Sequence, residues 1–131
     1  MVCGPERSGY LLGPLVAHHL AVGFVGVSKE PRPLADSDIW LTATTPPDYR
    51  DRHLTMSMRQ GLIGSSDRVL VVDDWADTGG QATAIRDLIR QTGAHYVGAA
   101  VVVDGLASHE IRRGLDLRGL LHLRDLRHEK R

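Results

Sequence analysis

The chain has 131 residues, of which 42% are hydrophobic and 24% are charged, a balance typical of one soluble globular domain. Sixteen Lys and Arg residues offset sixteen Asp and Glu residues, which excludes a general electrostatic attraction to nucleic acid or to an anionic membrane. The single cysteine, Cys3, excludes an internal disulfide bond and a cysteine-based zinc cluster. We therefore expect one cytoplasmic domain over residues 1–131, with neither nucleic acid nor a membrane as partner.

Strand and helix patterns alternate from the beginning of the chain. Residues 2–4 are typical of the end of a strand, residues 9–20 predict a helix, and residues 23–27 (GFVGV) predict a second short strand. This order indicates a βαβ unit, in which a helix crosses between two parallel strands.

A proline-rich segment follows this first unit. Residues 30–51 hold four of the six prolines among polar residues, which predicts a long loop of the kind that often covers a functional site. Residues 53–58 (HLTMSM) alternate in polarity and predict a strand, interpreted as half of a hairpin hinged to the loop.

The second half of the chain repeats the strand and helix order. Residues 69–72 (VLVV) predict a strand buried on both faces, residues 82–89 a helix with one apolar face that ends near Gly93, and residues 96–103 (YVGAAVVV) another buried strand. A short helix is predicted over residues 106–113, a last strand over residues 119–123, and a solvated tail for the ending RHEKR. The pattern indicates an α/β fold with a mainly parallel sheet.

The most informative motif is VLVVDDWADTGGQAT, residues 69–83. Asp73 and Asp74 follow a buried strand, at the edge where open α/β sheets bind their ligands. Residues 78–81 form a glycine-rich turn that opens a helix, so its backbone amides and the helix dipole favour a phosphate. Carboxylates accept hydrogen bonds from hydroxyl groups or metal-bound water. The combination predicts a ribose phosphate ligand; the alternative is that the Asp residues only cap the helix.

The stretch VLVVDDWADTGGQ resembles the ribose-phosphate motif of the type I phosphoribosyltransferases, which use phosphoribosyl diphosphate (PRPP). The resemblance implies that Asp73 and Asp74 hold the 2′ and 3′ hydroxyls, and Mg²⁺ through water or those hydroxyls. It also implies a site for the 5′ phosphate in the turn, made by Thr78, Gly79, Gly80 and Gln81. The family usually has Thr or Ser where this chain has Gln81.

A second resemblance covers residues 3–29, CGPERSGYLLGPLVAHHLAVGFVGVSK, which are similar to the segment after the first core strand of adenine phosphoribosyltransferases. There the loop after the strand binds diphosphate, often with a cis peptide bond. The resemblance implies the same role for five residues: Glu6, Arg7, Ser8, Gly9 and Lys29. Ser8 stands where the family normally has Arg.

The resemblance to this family also implies catalytic residues. Tyr49, Arg50 and Arg52 match the mobile catalytic loop that closes over PRPP, where they would stabilise charge. Asp77 matches an Asp that in many 6-oxopurine enzymes exchanges a proton with N7 of the base, whereas adenine enzymes commonly have Ala there. The alternative for Asp77 is that it caps the helix. The identity of the acceptor base therefore remains open between adenine and a 6-oxopurine.

The resemblance implies a type I phosphoribosyltransferase fold with three layers, a mainly parallel sheet flanked by helices. An N-terminal hood segment over the base is expected to be missing, because only three residues precede Gly4. The expected activity is transfer of the 5-phosphoribosyl group from PRPP to a purine with release of diphosphate, dependent on Mg²⁺ and carried out by a homodimer. The alternative is a regulatory paralogue that binds PRPP or a nucleotide without catalysis.

Overall fold

The computed structural model describes residues 1–45 and 53–127. Its elements, in chain order, are β1 (Val2–Pro5), α1 (Gly9–His19), β2 (Phe24–Val27), β3 (Trp40–Thr44), β4 (Thr55–Arg59), β5 (Arg68–Ala76), α2 (Gly80–Gln91), β6 (His95–Asp104), α3 (His109–Gly114), β7 (Leu117–His122) and α4 (Leu123–Arg127). Among these residues, no helix has the length and apolar character needed to cross a membrane.

The central sheet has the strand order β2-β1-β5-β6-β7, and every neighbouring pair is parallel. The chain moves outward through α1 from β1 to β2, and in the opposite direction through α2 from β5 to β6. The strand order thus reverses between β1 and β5, and ligands of open α/β sheets bind at the carboxyl ends of the strands at such a point. Both predicted βαβ units are confirmed.

The sheet lies between helices on its two faces, as the three-layer prediction requires. Val69 and Val71 of β5 belong to a buried cluster with Ile85 of α2. Val72 belongs to a second cluster with Ala17 of α1. Because successive side chains of a strand point to opposite faces, the continuous apolar run of β5 supplies both clusters.

A two-stranded antiparallel hairpin, β3 with β4, packs beside α2. The prediction of an uninterrupted loop over residues 30–51 is therefore wrong, because β3 lies within it; the predicted partner strand is confirmed as β4. Leu41 and Ala43 of β3 pack against the main buried cluster, which explains why this proline-flanked segment is extended. An antiparallel bridge between Ser28 and Ser57 joins the hairpin to the chain just after β2.

The C-terminal elements differ from the prediction at their boundaries. The short helix α3 begins at His109, because Ser108 accepts a hydrogen bond at its side chain from the amide of Ile111 (3.2 Å) and acts as the N-cap. The last strand, β7, begins at Leu117, and Leu123 opens α4 instead of ending the strand. Residues 128–131 of the predicted tail lie outside the described residues.

We expect Gly4→Ala to destabilise the fold. A Cβ atom at Gly4 would lie 2.8 Å from the carbonyl oxygens of both Gly9 and Val72, so α1 or β5 would have to move. Overpacking of this kind costs about 1 to 3 kcal/mol in the free energy of unfolding. Denaturant unfolding measures the effect. Gly64→Ala is the control, since the nearest atom to its added Cβ is Asp67 Oδ2 at 3.8 Å; equal stability of the two variants would contradict the close packing.

Candidate active site

A cavity of about 740 Å³ opens at the carboxyl ends of β1 and β5. Its lining includes residues 5–8 after β1, Lys29 after β2, residues 73–82 at the end of β5 and the start of α2, and Thr45, His53 and Leu54 between β3 and β4, together with the apolar residues Val71, Ile85, Ala99 and Val101. The structure therefore brings together the two segments that the sequence predicted separately.

Two adjacent carboxylates lie at the end of β5. Asp73 is half-buried, while Asp74 is exposed. The backbone amide of Asp74 donates a hydrogen bond to Asp73 Oδ1 (2.8 Å), which fixes the orientation of that carboxylate. Burial raises the pKa of Asp73 to about 7, and the neighbouring carboxylate of Asp74 adds to the shift. Hydroxyl donors or a cation in the cavity would stabilise the ionised form of this carboxyl group.

The turn that follows leaves the start of α2 open. Gly79 is the N-cap of α2, with a φ of +83°, and no side chain caps the helix there. The interpretation that Asp77 only caps the helix is therefore wrong, and this exposed carboxylate lines the cavity instead. Thr78 Oγ1 accepts a hydrogen bond from the amide of Gly80 (3.3 Å). The amides of the first helical turn have no partner within the helix, which suits an anion.

Glycine is required at position 79 for two reasons. Its positive φ is disfavoured for other residues, and a Cβ atom there would lie 2.7 Å from Ile111 Cγ2 of α3. Helix α3 is itself fixed by Arg112, which donates hydrogen bonds to both carboxylate oxygens of Asp104 (2.6 and 3.2 Å) and to the carbonyl of Leu106 (2.7 Å). The hydrogen bonds from Arg112 lower the pKa of the buried Asp104. This ion pair holds α3 against the turn at Gly79.

The loop after β1 contains a cis peptide bond between Glu6 and Arg7. The carboxylate of Glu6 accepts hydrogen bonds from the amide of Lys29 (2.7 Å) and from Arg32 Nη2 (3.1 Å), and its own amide donates to Val27 O (2.9 Å). Glu6 thus has no donor left for an anion. The predicted diphosphate contact of Glu6 is replaced by a positioning role, in which it joins the loop to the end of β2.

The other predicted residues divide into three groups. Arg7, Ser8 and Lys29 line the cavity. Gly9 lies outside it and instead allows α1 to approach β1, since a Cβ atom there would lie 2.6 Å from Pro5 Cδ. The predicted loop residues, Tyr49, Arg50 and Arg52, lie outside the described residues.

Three lining residues between the end of β3 and the start of β4 were not predicted as site residues: Thr45, His53 and Leu54. The amide of Thr45 donates to Leu54 O (2.7 Å), the amide of Leu54 donates to Thr45 Oγ1 (2.8 Å), and His53 Nδ1 lies 3.0 Å from Thr45 O. The alternation of residues 53–58 placed the strand, but the sequence held no motif that would have linked its first residues to the sheet edge.

The phosphoribosyl transferase domain family matches residues 1–125 of this chain. The chain belongs to that family. It is 36% identical to the adenine phosphoribosyltransferase of Koribacter versatilis over 124 residues, a match that covers 93% of the chain but 65% of that relative. The resemblance to type I phosphoribosyltransferases is thereby confirmed.

Two solved structures of the family are similar in fold. The adenine phosphoribosyltransferase of Rhodothermus marinus has a TM-score of 0.79 and 32% identity, over 93% of this chain and 68% of that one. The enzyme of Saccharomyces cerevisiae, complexed with an imino-altritol bisphosphate and adenine, has a TM-score of 0.78 and 30% identity, over 92% of this chain and 66% of that one. The predicted fold class is thus confirmed, in a chain that spans about two thirds of the length of these relatives.

The raised pKa of Asp73 makes a prediction about stability. The folded protein binds this proton more tightly than the unfolded chain, so ionisation of the group in the unfolded chain lowers the free energy of unfolding as the pH rises from about 4 to about 7. Without ligand at pH 8, Asp73→Asn should raise that free energy by about 1 kcal/mol, a value reduced for partial exposure. At pH 4 the two proteins should be equally stable.

Denaturant unfolding in the presence of a chelator measures this difference. Asp36→Asn is the matched control, because Asp36 is exposed and lies outside the cavity. A variant at position 73 that is no more stable than the wild type at pH 8 would contradict the burial of a charged group there.

Proposed function

We propose that this protein transfers the 5-phosphoribosyl group of PRPP to a purine base, with adenine as the acceptor and diphosphate as the second product. The observation that carries the proposal is the cavity at the strand-order reversal, where residues 5–8 and residues 73–82 line one space. One segment offers cationic and hydroxyl donors, and the other offers carboxylates and helix amides. PRPP has matching groups: a diphosphate, two ring hydroxyls and a terminal phosphate.

The ribose 5-phosphate part of PRPP fits the end of β5 and the start of α2. Asp73 and Asp74 would accept hydrogen bonds from the 2′ and 3′ hydroxyls, since ionised carboxylates are acceptors only. The turn formed by Thr78, Gly79, Gly80 and Gln81 would bind the 5′ phosphate with its backbone amides and the positive end of the α2 dipole. The absence of a capping side chain at Gly79 supports this assignment.

The diphosphate fits the opposite side of the cavity. Arg7 and Lys29 supply positive charge there, and Ser8 supplies a hydroxyl donor. Glu6 would keep this loop in place through its hydrogen bonds to Lys29 and Arg32. Arg50 and Arg52 remain proposed contributors on the basis of the family resemblance alone.

Mg²⁺ is the proposed cofactor. The described residues contain no group of three or more His, Cys, Asp or Glu side chains arranged to hold a metal ion. Mg²⁺ is commonly held by one or two carboxylates together with substrate phosphates, and the pair Asp73 and Asp74 fits that requirement, through water or the ribose hydroxyls. When bound, Mg²⁺ neutralises charge on the diphosphate.

The reaction needs little nucleophilic help from the protein. The bond between C1 of the ribose and the diphosphate oxygen breaks, its electron pair leaves with the diphosphate, and a base nitrogen attacks the oxocarbenium-like sugar. The residues of the cavity align the two substrates and exclude water. Asp77 is proposed as the proton partner at N7 of a 6-oxopurine acceptor, because its exposed carboxylate lines the same cavity.

Adenine is the proposed base because the similar relatives in K. versatilis, R. marinus and S. cerevisiae are adenine phosphoribosyltransferases. Asp77 is the residue that favours a 6-oxopurine, so it supplies the test of this choice. Assembly as a homodimer is proposed on the family resemblance, and the exposed Leu11 and Leu15 of α1 offer an apolar face for it. A cytoplasmic location stays a prediction.

We expect the double variant Asp73→Asn with Asp74→Asn to lose PRPP binding while keeping its fold. Two neutral amides hold the ribose hydroxyls and the cation more weakly than two carboxylates do, and the expected loss of affinity is at least about 100-fold. Isothermal titration calorimetry with PRPP and Mg²⁺ measures it. Asp36→Asn is the control with one exposed carboxylate removed, and undiminished affinity of the double variant would contradict the site.

A panel of bases tests the activity. With PRPP and Mg²⁺, we expect nucleotide formation from adenine, and no more than traces from hypoxanthine, guanine or xanthine. Asp77→Ala should lower kcat with adenine by far less than the roughly 100-fold that loss of a general acid or base costs, with little change in PRPP affinity, because adenine enzymes of the family commonly have Ala at this position. Product from a 6-oxopurine alone would overturn the choice of adenine. No product from any base, in protein that still binds PRPP, would favour a regulatory paralogue.

A further inference from the structure

His53 lies beyond the carboxyl edge of the sheet, on the side of the cavity that faces the loop after β1. The position follows from the bridge between Ser28 and Ser57, which is antiparallel. Traced backwards from Ser57 to His53, the chain therefore proceeds in the direction in which β2 runs and continues past the end of β2. At about 3.3 Å per residue, His53 is roughly 13 Å beyond that bridge. It lines the cavity together with Arg7 and Lys29.

The orientation of the His53 ring is fixed by the backbone. Its Nδ1 lies 3.0 Å from Thr45 O, and a carbonyl oxygen can only accept, so Nδ1 carries the proton. The carbonyl is held in turn, because Thr45 makes two further hydrogen bonds with Leu54. Nε2 is left as the ring nitrogen that can meet a ligand, and it makes no hydrogen bond within residues 1–45 and 53–127.

The charges in the cavity determine which ligand suits His53. Its cationic groups among the described residues are Arg7 and Lys29, and Glu6 already lies close to Lys29. The carboxylates of the lining are Glu6, Asp73, Asp74 and Asp77. PRPP carries three phosphoryl groups, and their negative charge exceeds the positive charge of Arg7 and Lys29. The carboxylates of the lining add to this excess of negative charge. A third cationic hydrogen-bond donor near the diphosphate would reduce this excess of negative charge.

We propose that protonated His53 donates a hydrogen bond from Nε2 to the diphosphate group of PRPP, opposite Arg7 and Lys29. This inference rests on the proposed function and adds a residue to its leaving-group site. It also predicts a pH dependence with a definite sign. Because Nδ1 is committed to Thr45, a neutral ring presents a lone pair at Nε2, which repels an anion. Only the charged ring donates from Nε2, so the contribution of His53 to diphosphate affinity should be larger at lower pH.

The test measures binding of inorganic diphosphate with Mg²⁺ by calorimetry at pH 6 and pH 8. His53→Ala should weaken binding about tenfold at pH 6, the size expected for one charge-assisted hydrogen bond, and by less at pH 8. Comparing variant and wild type at each pH cancels the titration of the diphosphate itself. The control is His19→Ala, an exposed histidine at the end of α1, which should bind as the wild type does at both pH values.

Nitrogen NMR gives a second readout that does not depend on the variant's stability. The ring signals of His53 are those absent from His53→Ala, and saturating diphosphate at pH 6 should shift the Nε2 signal in the wild type. Equal affinity of His53→Ala and wild type at pH 6, or an unmoved Nε2 signal, would overturn the role of His53. PRPP binding that still depends on Asp73 and Asp74 would then leave the proposed function standing, whereas loss of all PRPP binding by the wild type would remove both.

Discussion

The short parallel seam between β1 and β5 determines where every part of the site lies. Val2 pairs with Leu70 and Cys3 with Val71, and the strands are close enough at the next position that a Cβ atom on Gly4 would meet Val72 O at 2.8 Å. One more residue along each strand brings Pro5, the last residue of β1, level with Asp73. The two segments that line the cavity are separated by more than sixty residues in sequence, and this seam makes them neighbours.

The site departs from the rules that stabilise the rest of the fold. Asp73 is a half-buried acid with a pKa of about 7, and α2 begins at Gly79 without a capping side chain. Each feature costs stability in the free protein, and each is offset when a ligand supplies hydroxyl donors or an anion. By contrast, the buried Asp104 has Arg112 as its partner, and α3 has Ser108 as its cap. Binding sites in stable folds typically combine polar groups that lack partners in the free protein with surrounding residues whose hydrogen bonds are complete.

The sequence predicted what depends on local pattern and failed where tertiary contacts decide. The apolar run at residues 69–72 and the acid and glycine turn after it contain enough information to place β5, α2 and the acidic side of the cavity. Strand β3 was missed because its extended form depends on packing of Leu41 and Ala43 against the core, and the surrounding prolines indicated a loop. Glu6 was assigned by position in a motif, yet its partners Lys29 and Arg32 arrive from a different strand end.

Recognition by backbone would allow the chain to depart from its family's pattern and still bind a phosphate at the start of α2, as proposed. The amides at the start of α2 are present whatever side chain stands at position 81, so Gln81 in place of Thr or Ser removes one hydroxyl and leaves the amide donors and the dipole. Ser8 and Asp77 are different, because an Arg side chain or a carboxylate acts through its own charge. Changes at those two positions therefore alter charge where the diphosphate and the base are expected, and variation of function within this fold should concentrate there. His53 belongs to the same class of position, since its contribution depends on a side chain proton that no backbone group replaces.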